Sequence, residues 1–253
     1  MSAPIGRTVT IDENEIYYEE RGGGEPLVLL HGVTGTHADW QHVFDLASLA
    51  ECYRVIAPDA RGHGRSTNRR ADFTFRRCAL DVLALLDHLG VERARAVGMS
   101  LGAKTLLHVA TLDPSRVERM ILVSGTPRFP EATRAVFRAA AAAPHSPEEW
   151  TAMRAQHAHG DAQIAALWKL PAAFAADPVD MTFTAQRLAA IEATTFVVAG
   201  DRDPLYPVEL AVELYRGIAR SSLWVVPDGG HGPIFNDQRD EFVRRALPFL
   251  RAP

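Results

Sequence analysis

The chain has 253 residues, which is long enough for one large hydrophobic core plus an insertion. Its composition, with 47% hydrophobic and 23% charged residues, is that of an ordinary globular protein and argues against a disordered or fibrous chain. The formal net charge of −4 gives no electrostatic basis for binding nucleic acid or an anionic membrane.

The N-terminal part of the chain predicts strands. Arg7–Ile11 and Glu15–Glu20 are expected to form an edge hairpin, because they flank the turn residues Asp12-Glu13-Asn14. Pro26–Leu30 and Tyr53–Ala57 are continuous apolar runs of strand length. Such runs are typical of a parallel sheet that is covered on both faces.

Helical spacing of apolar residues predicts the segments that follow these strands. Ala38–Leu49 is predicted to be one amphipathic helix, and Phe75–Leu89 a second helix that ends at Gly90 in a left-handed conformation. Leu101–Leu112 has helical spacing as well, and Arg119–Val123 follows it as another strand. The alternation of strand and helix predicts an α/β fold with a mostly parallel, doubly wound sheet.

This alternation breaks after Gly125-Thr126-Pro127. Residues 128–190, which we call the helical insertion, are Ala-rich and contain no convincing strand, so we predict a helical cap inserted into a core of residues 1–127 and 191–253. The helical insertion is expected to be interrupted at Pro144, Pro147, Pro171 and Pro178. The alternation then resumes with the strand Thr194–Ala199, the helix Val208–Ile218, the strand Ser222–Val226 and the helix Glu241–Leu250.

A Gly-x-Ser-x-Gly motif at Gly98–Gly102 joins the predicted strand Ala94–Val97 to the helix Leu101–Leu112. At such a strand-turn-helix junction the backbone of the serine is strained, and its hydroxyl is exposed because the glycines allow the helix and strand to approach closely. The pentapeptide alone is only moderately specific, since composition predicts it in roughly one such chain in twenty. Its position between a strand and a helix makes Ser100 a candidate nucleophile.

A serine nucleophile needs a base that takes its proton and an acid that orients the base. Gly200–Pro204 and Gly229–Pro233 follow the next two predicted strands, and the carboxyl ends of parallel strands converge at one edge of a sheet. Ser100, an aspartate and His231 therefore occur in the order nucleophile, acid, base. Asp201 and Asp203 are both within reach as the acid.

These motifs resemble those of the α/β-hydrolase family, in particular its capped esterases, lactonases and C–C hydrolases. The resemblance covers nearly the whole chain, through His31–Gly35, Asp59–Ser66, Gly98–Gly102, Gly200–Asp203 and Gly230-His231.

The resemblance implies roles for individual residues. Ser100 is expected to be the nucleophile, His231 the general base and Asp203, rather than Asp201, the acid. The backbone N–H groups of Val33 and Leu101 are expected to form the oxyanion hole, with no cofactor and no metal.

Other residues have weaker signals. A substrate pocket is expected to include Trp40, Met99, Phe129 and Trp168. Lys104 could approach the site by helical spacing, but a partly buried or solvated position is expected for it. His157 and His159 suggest a metal site, which a helical segment disfavours because alternate side chains diverge there. His31, His63, Asp59 and Arg61 are interpreted as residues that build their loops.

The main hypothesis is a serine hydrolase of small to medium, mostly apolar carboxylic esters or lactones that acts through an acyl-serine. C–C bond hydrolysis of a diketone-like substrate, and non-catalytic binding of a small ligand, stay open. We expect a small-molecule substrate and no nucleic-acid or membrane partner, and the oligomeric state stays open, with a homodimer as one possibility.

The N-terminal residues Met1–Pro4 do not begin a basic region followed by an apolar stretch, and no run reaches membrane-spanning length, so we expect a cytoplasmic protein. Cys52 and Cys78 lack the spacing of a disulfide framework and are predicted to be free, buried thiols.

Overall fold

The computed structural model describes residues 4–176 and 179–252. Residues 1–3 and Pro253 of the predicted core, and Pro178 of the helical insertion, lie outside the described residues. The strands are β1 (Ile5–Ile11), β2 (Asn14–Arg21), β3 (Glu25–Leu30), β4 (Tyr53–Pro58), β5 (Ala94–Met99), β6 (Val117–Val123), β7 (Thr194–Gly200) and β8 (Ser221–Val226). The helices are α1 (Leu46–Leu49), α2 (Phe75–His88), α3 (Leu101–Leu112), α4 (Glu131–Ala142), α5 (Pro147–Gln156), α6 (Asp161–Ala176), α7 (Ala185–Ala189), α8 (Val208–Gly217) and α9 (Arg239–Arg251).

Within the described residues, eight strands form one sheet in the order β1-β2-β4-β3-β5-β6-β7-β8. β1 and β2 form an antiparallel hairpin, and β2 also pairs with β4 in the antiparallel direction. From β4 to β8 all neighbouring strands are parallel. The predicted α/β fold with a mostly parallel sheet is confirmed.

Both faces of this sheet are covered. Val28 and Leu30 of β3 pack on the face covered by α2, α3 and α8, whereas Leu27 and Leu29 pack on the face covered by α1 and α9. Successive side chains of a strand point to opposite faces, so a strand buried on both faces is apolar throughout. This explains why apolar runs located the inner strands.

The segment predicted as one helix, Ala38–Leu49, is broken in the structure. A 3-10 helix spans His37–His42, and α1 begins separately after Asp45. The Asp45 carboxylate accepts hydrogen bonds from the amides of Ala47 and Ser48, which is the usual way a side chain begins a new helix. The prediction was wrong because helical spacing of apolar residues continues across the break.

Two smaller expectations also need correction. Cys52 is exposed, while Cys78 is buried as predicted. Pro171 lies inside α6 and does not interrupt it. Among the described residues, no helix is both long and apolar enough to span a bilayer.

Between β6 and β7 the chain forms α4, α5, α6 and α7, and residues 128–176 and 179–190 contain no strand. Ser146 and Glu149 form a capping box at the start of α5, and Pro147 occupies its first turn, where the missing N–H costs nothing. The exact borders of the helical insertion stay a prediction.

Two histidines in the interior predict how stability depends on pH. Burial lowers the pKa of His63 to about 3 and that of His108 to about 4. The unfolded chain therefore binds protons below about pH 6.5 that the folded chain excludes, so the folded state loses stability as pH falls from 7 to 5, by roughly 2 kcal/mol for each histidine. Urea unfolding at pH 7, 6 and 5 measures this loss. In His63→Asn the pH dependence should be less steep, and an identical slope in the variant would contradict the assignment.

Candidate active site

Ser100 occupies a strained turn between β5 and α3, with φ 49° and ψ −102°. The helix follows very close to the sheet: a Cβ atom on Gly98 would overlap the backbone of Gly102, and one on Gly102 would overlap the carbonyl of Leu30. The amide of Gly102 also donates to the carbonyl oxygen of His31 at 3.0 Å. The predicted turn is present, and both glycines are needed for its close packing. The expectation of an exposed hydroxyl was wrong, because Ser100 is buried in this packing and only 6% exposed.

Ser100, His231 and Asp203 form one chain of hydrogen bonds. The Ser100 hydroxyl lies 2.9 Å from His231 Nε2, and His231 Nδ1 lies 2.8 Å from Asp203 Oδ2. Because Nδ1 donates to the carboxylate, Nε2 is free to accept the serine proton. Asp201 is exposed, so the structure places Asp203 beside the histidine.

The loop after β7 holds the Asp203 carboxylate in place. Oδ1 accepts hydrogen bonds from the amides of Leu205 and Tyr206 at 2.8 and 3.1 Å, which leaves Oδ2 for His231. The Asp203 side chain is 1% exposed and that of His231 is 21% exposed. The charge of the carboxylate is therefore directed at the imidazole in a site that is largely shielded from water.

The two predicted oxyanion-hole amides lie in the segments that flank Ser100. Leu101 is the first residue of α3, where the N–H has no acceptor inside the helix. Gly32 runs beside the serine, since a Cβ atom on it would be 3.8 Å from Ser100 Cβ, and Val33 follows directly. Within the described ranges, neither the Val33 nor the Leu101 amide donates a hydrogen bond. Both donors are thus available to a ligand.

Two of the four predicted pocket residues lie near the serine. Met99 contacts the glycines on either side of the site, as a Cβ atom on Gly32 would lie 3.8 Å from its Sδ and one on Gly232 would lie 2.7 Å from its Cε. Phe129 is buried, and its ring lies 6.3 Å from that of Tyr206.

The other two predicted pocket residues lie elsewhere. Trp40 packs with Phe44 on the face of the sheet opposite α3, so its assignment to the pocket is corrected. A large apolar residue in an amphipathic segment gives no sign of which face of the sheet it will cover. Trp168 of α6 stacks on His145 at 3.6 Å and lies 4.5 Å from Trp150, which places its ring among residues of the helical insertion.

Sequence reasoning missed Tyr206 as a site residue and gave Lys104 only as a residue that could approach the site. Lys104 is 1% exposed, against the expectation of a partly buried or solvated position, and its Nζ lies 3.5 Å from Ser100 Oγ. It donates a hydrogen bond of 2.8 Å to the Tyr206 hydroxyl, and the Tyr206 ring lies 5.3 Å from that of His231. The one available signal for Tyr206 was its position three residues after Asp203.

These two groups titrate in an apolar environment. Burial lowers the pKa of Lys104 to about 7, with a small opposing effect from the negative charge of Asp203. Burial also raises the pKa of Tyr206, so its phenol stays neutral. The charged form of each group is disfavoured because little water solvates it.

An aromatic cluster covers this part of the site. Its neighbouring rings lie between 4.7 and 6.4 Å apart. Its members are Phe73, Phe75, Phe129, Phe137, Phe174 and Tyr206. Because α2, α4, α6 and the loop after β7 all contribute rings, the helical insertion supplies part of the apolar surroundings of Lys104.

The two histidines that suggested a metal bind backbone groups instead. His157 Nδ1 accepts from the amide of Gly64 at 2.8 Å, and its Nε2 donates to the carbonyl oxygen of Thr34 at 3.1 Å. His159 Nε2 donates to the carbonyl oxygen of Arg65 at 3.0 Å. They anchor the helical insertion to the loops after β3 and β4.

The four residues interpreted as loop-building are confirmed in that role. His31 Nε2 accepts from the amide of Ala60 at 2.9 Å, and His63 Nδ1 donates to the carbonyl of Arg61 at 3.0 Å. The Asp59 carboxylate accepts from two loop amides, and the Arg61 guanidinium binds Asp81 of α2 with two hydrogen bonds of 2.7 Å.

Comparison with known proteins identifies relatives. A sequence model described as the Alpha/beta hydrolase family matches residues 27–245. An uncharacterized protein of Mycobacterium tuberculosis is 40% identical over 103 residues, which are 41% of this chain and 30% of that protein. The chain thus spans under a third of that relative's length.

Two solved structures match almost the whole chain. A hydrolase from Pseudomonas aeruginosa has a TM-score of 0.78 and 26% identity, covering 98% of both chains. Est816, described as an N-acyl homoserine lactone degrading enzyme, has a TM-score of 0.75 and 29% identity, covering 96% of this chain and 100% of its own.

The geometry predicts which aspartate activates Ser100. A fluorophosphonate probe should label the wild-type protein at Ser100, and Asp203→Asn should slow labelling by roughly a thousandfold because the histidine is no longer oriented and charge-stabilised. Asp201→Asn is the matched control, two residues away and exposed, and should label at the wild-type rate. Mass spectrometry of the labelled peptide with time measures both rates. Equal rates in the two variants would contradict the assignment.

Proposed function

Because the chain belongs to the alpha/beta hydrolase family, we propose that it is a serine hydrolase that cleaves a small to medium-sized, mostly apolar carboxylic ester or lactone through an acyl-serine intermediate. The supporting observation is the continuous hydrogen-bond chain from the Ser100 hydroxyl through His231 to Asp203. Similarity to Est816, at 29% identity over its full length, adds lactones to the substrate classes.

The first half of the reaction forms the acyl-serine. Ser100 Oγ attacks the carbonyl carbon while His231 Nε2 takes the hydroxyl proton, and Asp203 stabilises the resulting imidazolium. The negative charge that develops on the carbonyl oxygen is stabilised by the amides of Val33 and Leu101; losing one such donor typically costs about 3 kcal/mol. His231 then gives its proton to the leaving alkoxide, which departs as the alcohol.

The second half of the reaction releases the acid. Water attacks the acyl carbon, His231 accepts a proton from that water, and the proton returns to Ser100 Oγ as the ester bond breaks. In a lactone the leaving alcohol stays attached to the acyl chain, so the product is a single hydroxy acid. The proposed reaction uses no cofactor, because the histidine and aspartate provide proton transfer and charge stabilisation.

The aromatic cluster favours an apolar acyl group. Phe129 and Phe137, which belong to the helical insertion, are 5% and 6% exposed and contact Tyr206 beside Ser100. Such rings stabilise a bound acyl chain by removing its apolar surface from water. Ser100 itself is 6% exposed, so groups that cover it must move before a substrate can reach it.

Chromogenic esters and lactones test the proposal. The purified protein should hydrolyse p-nitrophenyl esters with an optimum at short to medium acyl chains, and Ser100→Ala should lower kcat/KM by at least about a thousandfold because no acyl-enzyme forms. The unfolding midpoint of Ser100→Ala serves as the control for folding. A panel of γ- and δ-lactones, measured by release of acid, compares the two substrate classes.

Other outcomes of this assay separate the competing functions. Labelling of Ser100 without ester or lactone turnover, together with cleavage of a vinylogous diketone, would favour a C–C hydrolase. Tight binding of a small molecule by folded protein, without labelling or turnover and unchanged in Ser100→Ala, would favour a non-catalytic binding protein.

A further inference from the structure

The chain has two lysines among its 27 Lys and Arg residues, and they lie in opposite environments. Lys169 is exposed on α6, whereas Lys104 is buried beside Ser100. Almost all basic residues on the surface of this protein are arginines. Lys104 is therefore unusual in two ways, because lysine is rare in this chain and because this lysine is buried.

The surroundings of Lys104 stabilise its charge only in part. Nζ donates to the Tyr206 hydroxyl at 2.8 Å and lies 4.8 to 5.6 Å from the ring centroids of Phe75, Phe129 and Tyr206. Across residues 4–176 and 179–252, no carboxylate lies within 4.0 Å of Nζ. Asp203 acts on it only at longer range, since its oxygens are bound to His231 and two amides. The ammonium form thus has no direct counter-ion.

A purely structural role does not account for this arrangement. Contact with aromatic rings stabilises a desolvated cation, but by less than the free energy that burying an unpaired ammonium costs. A methionine or leucine would fill the same volume within the aromatic cluster without that cost. At least one N–H of the ammonium also has no acceptor at normal hydrogen-bond distance, since Ser100 Oγ is 3.5 Å away.

We propose that Lys104 and Tyr206 form an anion subsite that binds a carboxylate on the acyl part of the substrate. The substrate is then a half-ester of a dicarboxylic acid, or a lactone that bears a carboxylate, and is otherwise apolar. This inference rests on the proposed function and narrows its substrate class.

The distances limit the length of that acyl part. Nζ lies 3.5 Å from Ser100 Oγ, and a carboxylate oxygen bound to an ammonium lies about 2.8 Å from it. The carboxylate is therefore separated from the attacked carbonyl by about one to three methylene groups, as in malonyl, succinyl and glutaryl esters. The Tyr206 hydroxyl accepts from Lys104 and can donate its own proton to the second carboxylate oxygen.

The electrostatics around Lys104 agree with this assignment. With a pKa of about 7, Lys104 is partly neutral at pH 7, and the ionisable groups that face it are Tyr206, Asp203 and His231. A bound carboxylate supplies the missing counter-ion, so binding favours the ammonium and raises the pKa of Lys104. An uncharged acyl chain has no such effect.

A charge-matched pair of substrates tests the subsite. In the wild-type protein, kcat/KM for p-nitrophenyl hemiglutarate should exceed that for p-nitrophenyl valerate, a neutral ester of similar length, by about tenfold or more. Lys104→Met should lower the ratio of kcat/KM for the hemiglutarate to that for the valerate by about tenfold or more, whatever its effect on the valerate alone. Lys169→Met, the matched control, should leave the ratio of the two values unchanged. Equal losses on both substrates in Lys104→Met would overturn the proposal in favour of a structural role.

A binding measurement keeps the test valid if Lys104→Met does not fold. Protein labelled with ¹³C at lysine Cε carries two labelled side chains, and the resonance that remains in Lys169→Met belongs to Lys104. Adding the product glutarate should raise the titration midpoint of Lys104 by about one pH unit. No shift of the Lys104 midpoint at glutarate concentrations up to tens of millimolar would overturn the anion subsite.

These measurements distinguish a wrong anion subsite from a wrong assignment as a serine hydrolase. If the valerate is hydrolysed and Ser100 reacts with the fluorophosphonate, but neither the charge preference nor the lysine shift is seen, the serine hydrolase stands and the anion subsite is wrong. Loss of all labelling and turnover from folded protein would instead refute the hydrolase assignment.

Discussion

The close approach of α3 to the ends of β3 and β5 is the constraint on which the site depends. A side chain at Gly98 or Gly102 would force the helix away from the sheet, and the hydrogen bond from Gly102 to the His31 carbonyl would break. That contact forces Ser100 into a positive φ and brings the Leu101 amide beside the loop that contains Val33. Backbone strain of this kind costs about 1 to 3 kcal/mol and persists only where the surrounding packing imposes it. Here the sheet, buried on both faces, provides that packing.

Much of this architecture could be predicted from local patterns. The inner strands are apolar because both of their faces are covered, so runs such as Pro26–Leu30 located them to within a residue or two. Ala38–Leu49 could not be predicted in the same way, because its apolar spacing is compatible with one helix or two. The decisive interaction is the Asp45 carboxylate with the amides that follow it. Whether this segment forms one helix or two depends on the path that the chain takes between β3 and β4, which is a property of the whole fold.

The residues of the site also differ in how far local sequence patterns predict them. Ser100, Asp203 and His231 each follow a strand, so sequence order and sheet topology were enough to predict that they lie together. The choice between Asp203 and Asp201 needed a known family pattern, because the sequence does not show which side chain of the loop turns inward. Lys104 shares a helix face with Ser100, but its burial results from Phe129 and other rings that are distant in the sequence. Contacts between distant segments decide the electrostatics of a group, and spacing alone does not reveal them.

The long separation of Ser100 and His231 also affects how the protein is made. The two residues are 131 positions apart, with the whole helical insertion between them. A ribosome adding about 5 to 20 residues per second takes on the order of ten seconds to travel from the codon for the serine to that for the histidine. Under the proposed mechanism the serine is without its base during translation, and a serine hydroxyl without a base is a weak nucleophile. That mechanism implies that truncated or unfinished chains that end before β8 react only weakly with esters, whatever part of the sheet they have already formed.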